Sequence, residues 1–261
     1  MSIAHDQKRL VDLLKELHLP AVRECFAQKA QEAVAQGISP EGYLREVLEI
    51  ECAVRRQKSI QRRLRESKLP LEKTFATFEM GRLDRKLTRQ LDVLREGSFL
   101  KRRENVLAFG KPGSGKTHLL AALGNELIQQ GHRVAFVTCC LLVQELLRVK
   151  AALQLDKYLK KLSGFDALII DDIGYVQQNR EEMEVLFTLL SARYESGSVL
   201  LTSNLPFSKW ESIFKDPMTT AAAIDRLVHH SVILELNTAS YRMEQAQKRS
   251  TPKTKEDDND K

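Results

Sequence analysis

Apolar residues recur at helical spacing along the first seventy positions, beginning with Leu10, Leu13, Leu14 and Leu17 on one face. The pattern predicts a helix there, a restart at Pro20 and an end to the second segment at Gly37. Ser39 followed by Pro40 has the form of an N-cap with proline at the first helical position, opening a long third helix that runs to about Lys68, before Leu69 and Pro70. Ala53, Ile60 and Leu64 fall on one narrow face of that helix. From Asn105 the texture changes. Short, nearly continuous apolar runs (Val106–Phe109, Val134–Thr138, Ala167–Ile170, Val199–Thr202, Val232–Leu236) alternate with helical patterns of about 10 to 15 residues. Such strands are buried on both faces, and their alternation with helices predicts a parallel sheet in a doubly wound α/β domain.

Composition adds bounds. With 261 residues, 43% hydrophobic and 29% charged, the chain can bury a sizeable core. It has no run of about 18 apolar residues, and Met1 to Arg9 is polar where a signal peptide needs an apolar stretch, so a soluble, cytoplasmic protein without membrane contact is expected. Cys25, Cys52, Cys139 and Cys140 show no C-x-x-C spacing, which argues against a disulfide framework or zinc site and predicts reduced, buried thiols.

The net charge of +6 is unevenly spread. Between Arg55 and Arg103 stand 16 Lys or Arg against 6 Asp or Glu, a local surplus of ten. Arg55, Arg56, Lys58, Arg62, Arg63, Arg65 and Lys68 face only Glu66, whereas a merely solvated helix face favours mixed signs. Phosphate backbones are the natural counter-surface, and these seven residues are the candidate DNA contacts. The expected organisation is a basic helical N-terminal region over 1–70, a basic linker over 71–104, an α/β core over 105–245 and a disordered tail over 246–261, where Pro252 and the lack of large apolar residues oppose folding.

Chemistry concentrates in the α/β part. Gly110, Lys111, Pro112, Gly113, Ser114, Gly115, Lys116 and Thr117 fit G-x-x-x-x-G-K-[ST], directly after the first strand and directly before a helix opening at His118. The glycines let backbone N–H groups turn inward around an anion, Lys116 can reach β and γ phosphates, and Thr117 offers a hydroxyl to Mg²⁺. The third apolar run ends in Asp171 and Asp172, at the sheet edge that parallel strands share with the loop. Asp171 suits Mg²⁺, directly or through water, and Asp172 the orientation and deprotonation of an attacking water. Asn204 follows the fourth strand at the same edge, and Arg226 and Arg242 stand on either side of the fifth.

In this order the motifs resemble an AAA+ ATPase. More narrowly, Leu168 to Gly174, Leu201 to Asn204, Asp225-Arg226-Leu227 and Ser240-Tyr241-Arg242 resemble the clade of DnaC helicase loaders and IstB transposition helpers. Glu51 with Arg55 and Arg56, Arg62-Arg63-Leu64 and Lys68-Leu69-Pro70 before Phe75 are similar to IstB rather than DnaC. The resemblance implies a P-loop AAA+ core with a small all-α N-terminal region, ATP and Mg²⁺ as cofactors, and a homo-oligomer with nucleotide at subunit interfaces. It implies assembly on duplex DNA with little sequence preference, bending of that DNA and presentation to a partner transposase. Asn204 becomes a sensor, Arg226 a finger reaching a neighbour's nucleotide, and Arg242 a second sensor. Asp172 stands where most AAA+ proteins carry Glu, which implies slow hydrolysis. The short chain after Arg242 implies no helical lid domain. Two alternatives stay open: a helicase loader, and a DNA scaffold that uses ATP mainly for assembly. A metabolite kinase leaves the basic helix unexplained.

Overall fold

The computed structural model describes residues 3–174, 180–210, 217–241 and 243–244. The chain divides into two compact units, 1–62 and 63–261. Helices α1 (Ile3–Glu16), α2 (Pro20–Gln36) and most of α3 (Pro40–Ser67) make the first. The Gly42 N–H donates to Ser39 Oγ (3.1 Å), the cap expected of Ser39-Pro40. Gly37 closes α2 in the left-handed region (φ 67°), its N–H returning to Ala33 and Val34 carbonyls. Leu14, Val22 and Val47 form the core of this unit, with Leu19, Phe26 and Tyr43 packed around them. Of the four leucines expected on the buried face of α1, only Leu14 is buried; Leu10, Leu13 and Leu17 are exposed. On α3, Ile60 is buried and Leu64 half-buried, but Ala53 is exposed. It lies about 200° around the helix from the buried Glu51, off the Val47–Glu51 row.

In the second unit β1 (Asn105–Gly110), β2 (Val134–Thr138), β3 (Ala167–Asp171), β4 (Ser198–Ser203) and β5 (Ser231–Leu236) form one sheet in the order β2-β3-β4-β1-β5. Every pairing is parallel. All five predicted strands form, none longer than expected by more than one residue at either end. Side chains alternate across the sheet. Leu107, Leu168, Ile170, Val199 and Leu201 pack on one face against α7 (Cys139–Ala151), α8 (Leu155–Ser163), α9 (Arg180–Arg193) and α10 (Pro217–Val228). On the other face α6 (Lys116–Gln129) meets β1 to β4 and buries Leu119, Leu120, Leu123 and Leu127.

The stretch 71–104, expected as a linker, is folded into this unit. Two 3-10 turns (Phe75–Thr77 and Met80–Arg82) lead into α4 (Arg85–Arg95) and α5 (Ser98–Lys101). Leu87, Leu91 and Leu94 are buried at spacings of four and three, and Arg95 grips Glu126 of α6 through two hydrogen bonds of 2.7 and 2.8 Å. The cations that suggested a linker occupy the outer face of an amphipathic helix. All four cysteines are free, but only Cys139 is buried; Cys25 is half-buried, and Cys52 and Cys140 are exposed. No helix among the described residues is long and apolar enough to cross a membrane. The tail 246–261 lies outside the described residues.

Candidate functional site

The phosphate loop leaves β1 at the carboxyl edge and ends in the first turn of α6, where Gly115 (φ 100°) takes the N-cap position. A side chain at Gly115 would meet Phe78 at 2.9 Å, and one at Gly113 (φ 79°) would meet Ser240 Oγ at 2.2 Å. Both positions therefore demand glycine twice over, by backbone conformation and by space. Lys116 is buried, its ammonium donating to the Gly110 and Lys111 carbonyls (2.7 and 3.0 Å). Ser114 Oγ is buried without a hydrogen-bond partner among the described residues, and Thr117 is half-buried. His118 turns to the 71–104 stretch: Nε2 lies 2.9 Å from the Thr74 carbonyl and 3.2 Å from Thr77 Oγ1, with its ring edge-on to Phe78.

Strand β4 lies between β1 and β3, so Thr202 is flanked by Ala108 on one side and Asp171 on the other. Its hydroxyl donates to Asp171 Oδ1 (2.7 Å) and accepts from the Asp172 N–H (2.8 Å). One threonine thus fixes both carboxylate residues beside the loop. Asp171 is buried; Asp172 is half-buried in the left-handed region (φ 61°). Short polar Asp tolerates that backbone better than Glu, which gives a local reason for the shorter carboxylate here. Asn204 Oδ1 is buried without a hydrogen-bond partner among the described residues, and a side chain at Gly174 would come within 2.6 Å of it. The glycine two residues after Asp172 makes room for that carboxamide.

A cavity of about 280 Å³ opens over the loop. Besides Pro112 to His118 and Asp172 it is lined by Lys73, Thr77, Phe78, Leu83, Thr238 and Tyr241. None of these six was among the candidates from sequence. The Tyr241 N–H donates to the Gly113 carbonyl (3.0 Å) and Thr238 Oγ1 to the Ser114 carbonyl (3.0 Å). Arg82 reaches the Ala239 carbonyl (2.8 Å) and lies over the Tyr241 ring. Glycines with positive φ were legible as a loop, but nothing local in Phe78 or Tyr241 marks them as its neighbours.

Arg226 lies elsewhere. It ends α10 beside Leu227, whose carbonyl accepts from Asn105 Nδ2 (3.0 Å) at the start of β1. That is the amino edge, and the five steps of β1 put roughly 16 Å between it and Gly110. Arg226 Nη1 donates to the Ala222 carbonyl, with its guanidinium over Phe187. Arg242 falls outside the described residues. Of the cations on α3 and the Lys68 that follows it, Arg56, Lys58, Arg62, Arg65 and Lys68 are exposed. Arg55 instead bonds Glu51 (2.8 Å) and the His18 carbonyl, and Arg63 the Gly131 carbonyl.

The sequence matches the family model described as IstB-like ATP binding protein over residues 12–249. The chain belongs to this IstB-like family. A Sinorhizobium fredii relative described as an insertion-sequence ATP-binding protein is 41% identical over 92% of this chain and 81% of its own length. The corresponding protein of insertion sequence IS21 from Pseudomonas aeruginosa is 38% identical over 94% of this chain and 91% of its own. Among solved structures, AMPPCP-bound DnaA from Aquifex aeolicus superposes with a TM-score of 0.55 at 18% identity, covering 70% of this chain and 55% of that one. This IstB-like chain thus spans just over half of that DnaA, and the likeness is one of fold: a P-loop AAA+ core.

Proposed function

We propose that this IstB-like protein binds and hydrolyses ATP with Mg²⁺, assembles on duplex DNA and serves a transposase as its helper. The observation that carries the nucleotide part is the juxtaposition of a phosphate loop that demands glycine at 113 and 115 with the Thr202-braced Asp171 and Asp172 at the end of a neighbouring strand. The residues fit a triphosphate: the loop has no room for a Cβ at Gly113 or Gly115, a buried lysine stands at its end, and Ser114 Oγ and Asn204 Oδ1 are buried polar atoms without partners among the described residues. Bound Mg·ATP supplies the phosphoryl group that water attacks. The loop N–H groups and Lys116 hold its negative charge. Thr117 and Asp171 are the oxygen donors suited to the metal. Asp172 takes the proton of the attacking water, and Asn204 orients that water or the γ phosphate. Phe78, Leu83 and Tyr241 offer an apolar wall for the base.

Arg226 is too far along β1 to serve its own loop, which favours action on a neighbour's nucleotide. The exposed cations of α3 are the proposed phosphate contacts on DNA. Relatives described as insertion-sequence ATP-binding proteins over nearly the full chain favour a transposition helper over a helicase loader. Lys116→Ala should abolish tight ATP binding while leaving the thermal unfolding transition in place. Unchanged ATP affinity, measured by fluorescent-nucleotide titration, would remove the loop from the proposal. Pull-down from cell extract should recover a transposase; recovery of the replicative helicase instead would favour the loader.

A further inference from the structure

A second cavity, of about 260 Å³, opens at the amino edge of the sheet, away from the phosphate loop. Four arginines line it, Arg102, Arg103, Arg193 and Arg226, together with Tyr194, His230 and one carboxylate residue, Glu195. They differ in what balances their charge. Arg102 is matched by Glu104 through two hydrogen bonds of 2.8 and 2.9 Å. The other three are held by neutral carbonyls. Arg103 donates to the Glu195 carbonyl, and Arg226 to that of Ala222. Arg193, only 2% exposed, donates to the carbonyls of Leu162, Phe165, Asp166 and Ser198, and its Nε is buried without a partner among the described residues. None of these three has a carboxylate within salt-bridge distance among the described residues.

Carbonyl dipoles satisfy N–H donors but leave the net charge. Desolvation pushes Arg193 down to about 10, so it remains a cation at neutral pH inside a low-dielectric wall. Arg103 takes a positive φ of 56° at the turn between α5 and β1, and from there its side chain shares the cavity with Arg226. Two planar, donor-rich guanidiniums backed by a third, buried one outnumber the single lining carboxylate, Glu195, and make a concave site of positive potential. An oxyanion is the group that such forks fit best.

We infer that this cavity is a phosphoryl-binding site in which Arg103 acts beside Arg226. The source of the phosphoryl group is a neighbouring subunit's nucleotide, a step that rests on the proposed action of Arg226 in trans; inorganic phosphate is the other source of the same chemistry. The residue that the proposal adds is Arg103.

The full-length chain tests it in two arms. In the first, Arg103→Ala should keep its unfolding temperature and the ATP affinity of the monomer, while DNA-assembled ATPase falls roughly 10²-fold. Mixing it with Lys116→Ala should restore part of that activity, because an intact Arg103 then faces an intact loop; a variant that merely folds badly gains nothing from mixing. In the second arm, Lys116→Ala is titrated calorimetrically with inorganic phosphate, with and without Arg103→Ala. Loss of ATPase with rescue assigns the neighbour's nucleotide. Undiminished ATPase with phosphate binding that disappears on Arg103→Ala assigns free phosphate. Undiminished ATPase with no Arg103-dependent phosphate binding overturns the proposal, as does a loss of ATPase that mixing does not restore. If Arg226→Ala is fully active, the trans reading of Arg226 fails, and the phosphate titration alone decides whether the cavity is an oxyanion site.

Discussion

Glu51 shows how much a single buried carboxylate can organise. Helix α2 begins at Pro20 behind Leu19, which has no side-chain acceptor, so the free N–H groups of its first turn need one from elsewhere. Glu51 Oε2 supplies it to Ala21 and Val22 (2.8 and 3.2 Å), and Oε1 accepts from Arg55, which also donates to the His18 carbonyl behind α1. Burial pushes the Glu51 carboxyl up, but the bonds from Arg55, Val22 and Ala21 outweigh it and leave the carboxyl below its ordinary range. A depressed folded value means that the stabilisation is present above the unfolded value of about 4.3 and is lost as pH falls through the folded one. Glu51→Ala should destabilise the first unit by about 1–3 kcal/mol at pH 7, read from the urea midpoint, with a smaller difference from the parent at pH 3. A pH-independent difference would contradict the charged role. Arg193→Ala removes four hydrogen bonds, although the Leu162 and Asp166 carbonyls keep the N–H groups of Phe165 and Ser198, and should cost on the order of 3 kcal/mol; a loss below about 1 kcal/mol would show that water replaces the guanidinium. Neither role is written in local sequence, because both join residues about 30 positions apart. Gly115, Lys116 and Asp171 were legible because their chemistry is local to one turn or one strand end.

At the scale of elements, strands announced themselves because a sheet covered on both faces requires unbroken apolar runs. Helix α4 did not, although Leu87, Leu91 and Leu94 carry the period, because its outer cations dominate the composition of 71–104. The second half of helix α3 is also rich in cations, and these divide by contact. Arg55 and Arg63 hold structure, so their removal confounds a binding experiment. The informative variant is Arg56, Lys58, Arg65 and Lys68 replaced together by Ala. If each meets a duplex phosphate, the slope of log affinity against log salt should flatten by roughly 0.9 per contact, equally on unrelated sequences. An unchanged slope would identify a solvated face and move the DNA contacts to other loops.

For the whole molecule, the sheet sets the two chemical ends apart. Phosphate loop, Asp171, Asp172 and Asn204 gather at the carboxyl edge, and Arg226 stands at the amino edge. One chain cannot close that distance, so hydrolysis should depend on assembly, with DNA as the surface that promotes it. The resemblance pointed to Arg226, but only strand order shows which edge it occupies. The most direct test is steady-state phosphate release by the full-length protein with and without duplex DNA, alongside Asp172→Asn, whose amide keeps the shape but cannot accept a proton. Release should be slow alone, rise several-fold on DNA in proportion to assembled protein, and fall to background in Asp172→Asn while ATP stays bound. Release equally fast with and without DNA, or undiminished in Asp172→Asn, would contradict a DNA-assembled ATPase using this carboxylate.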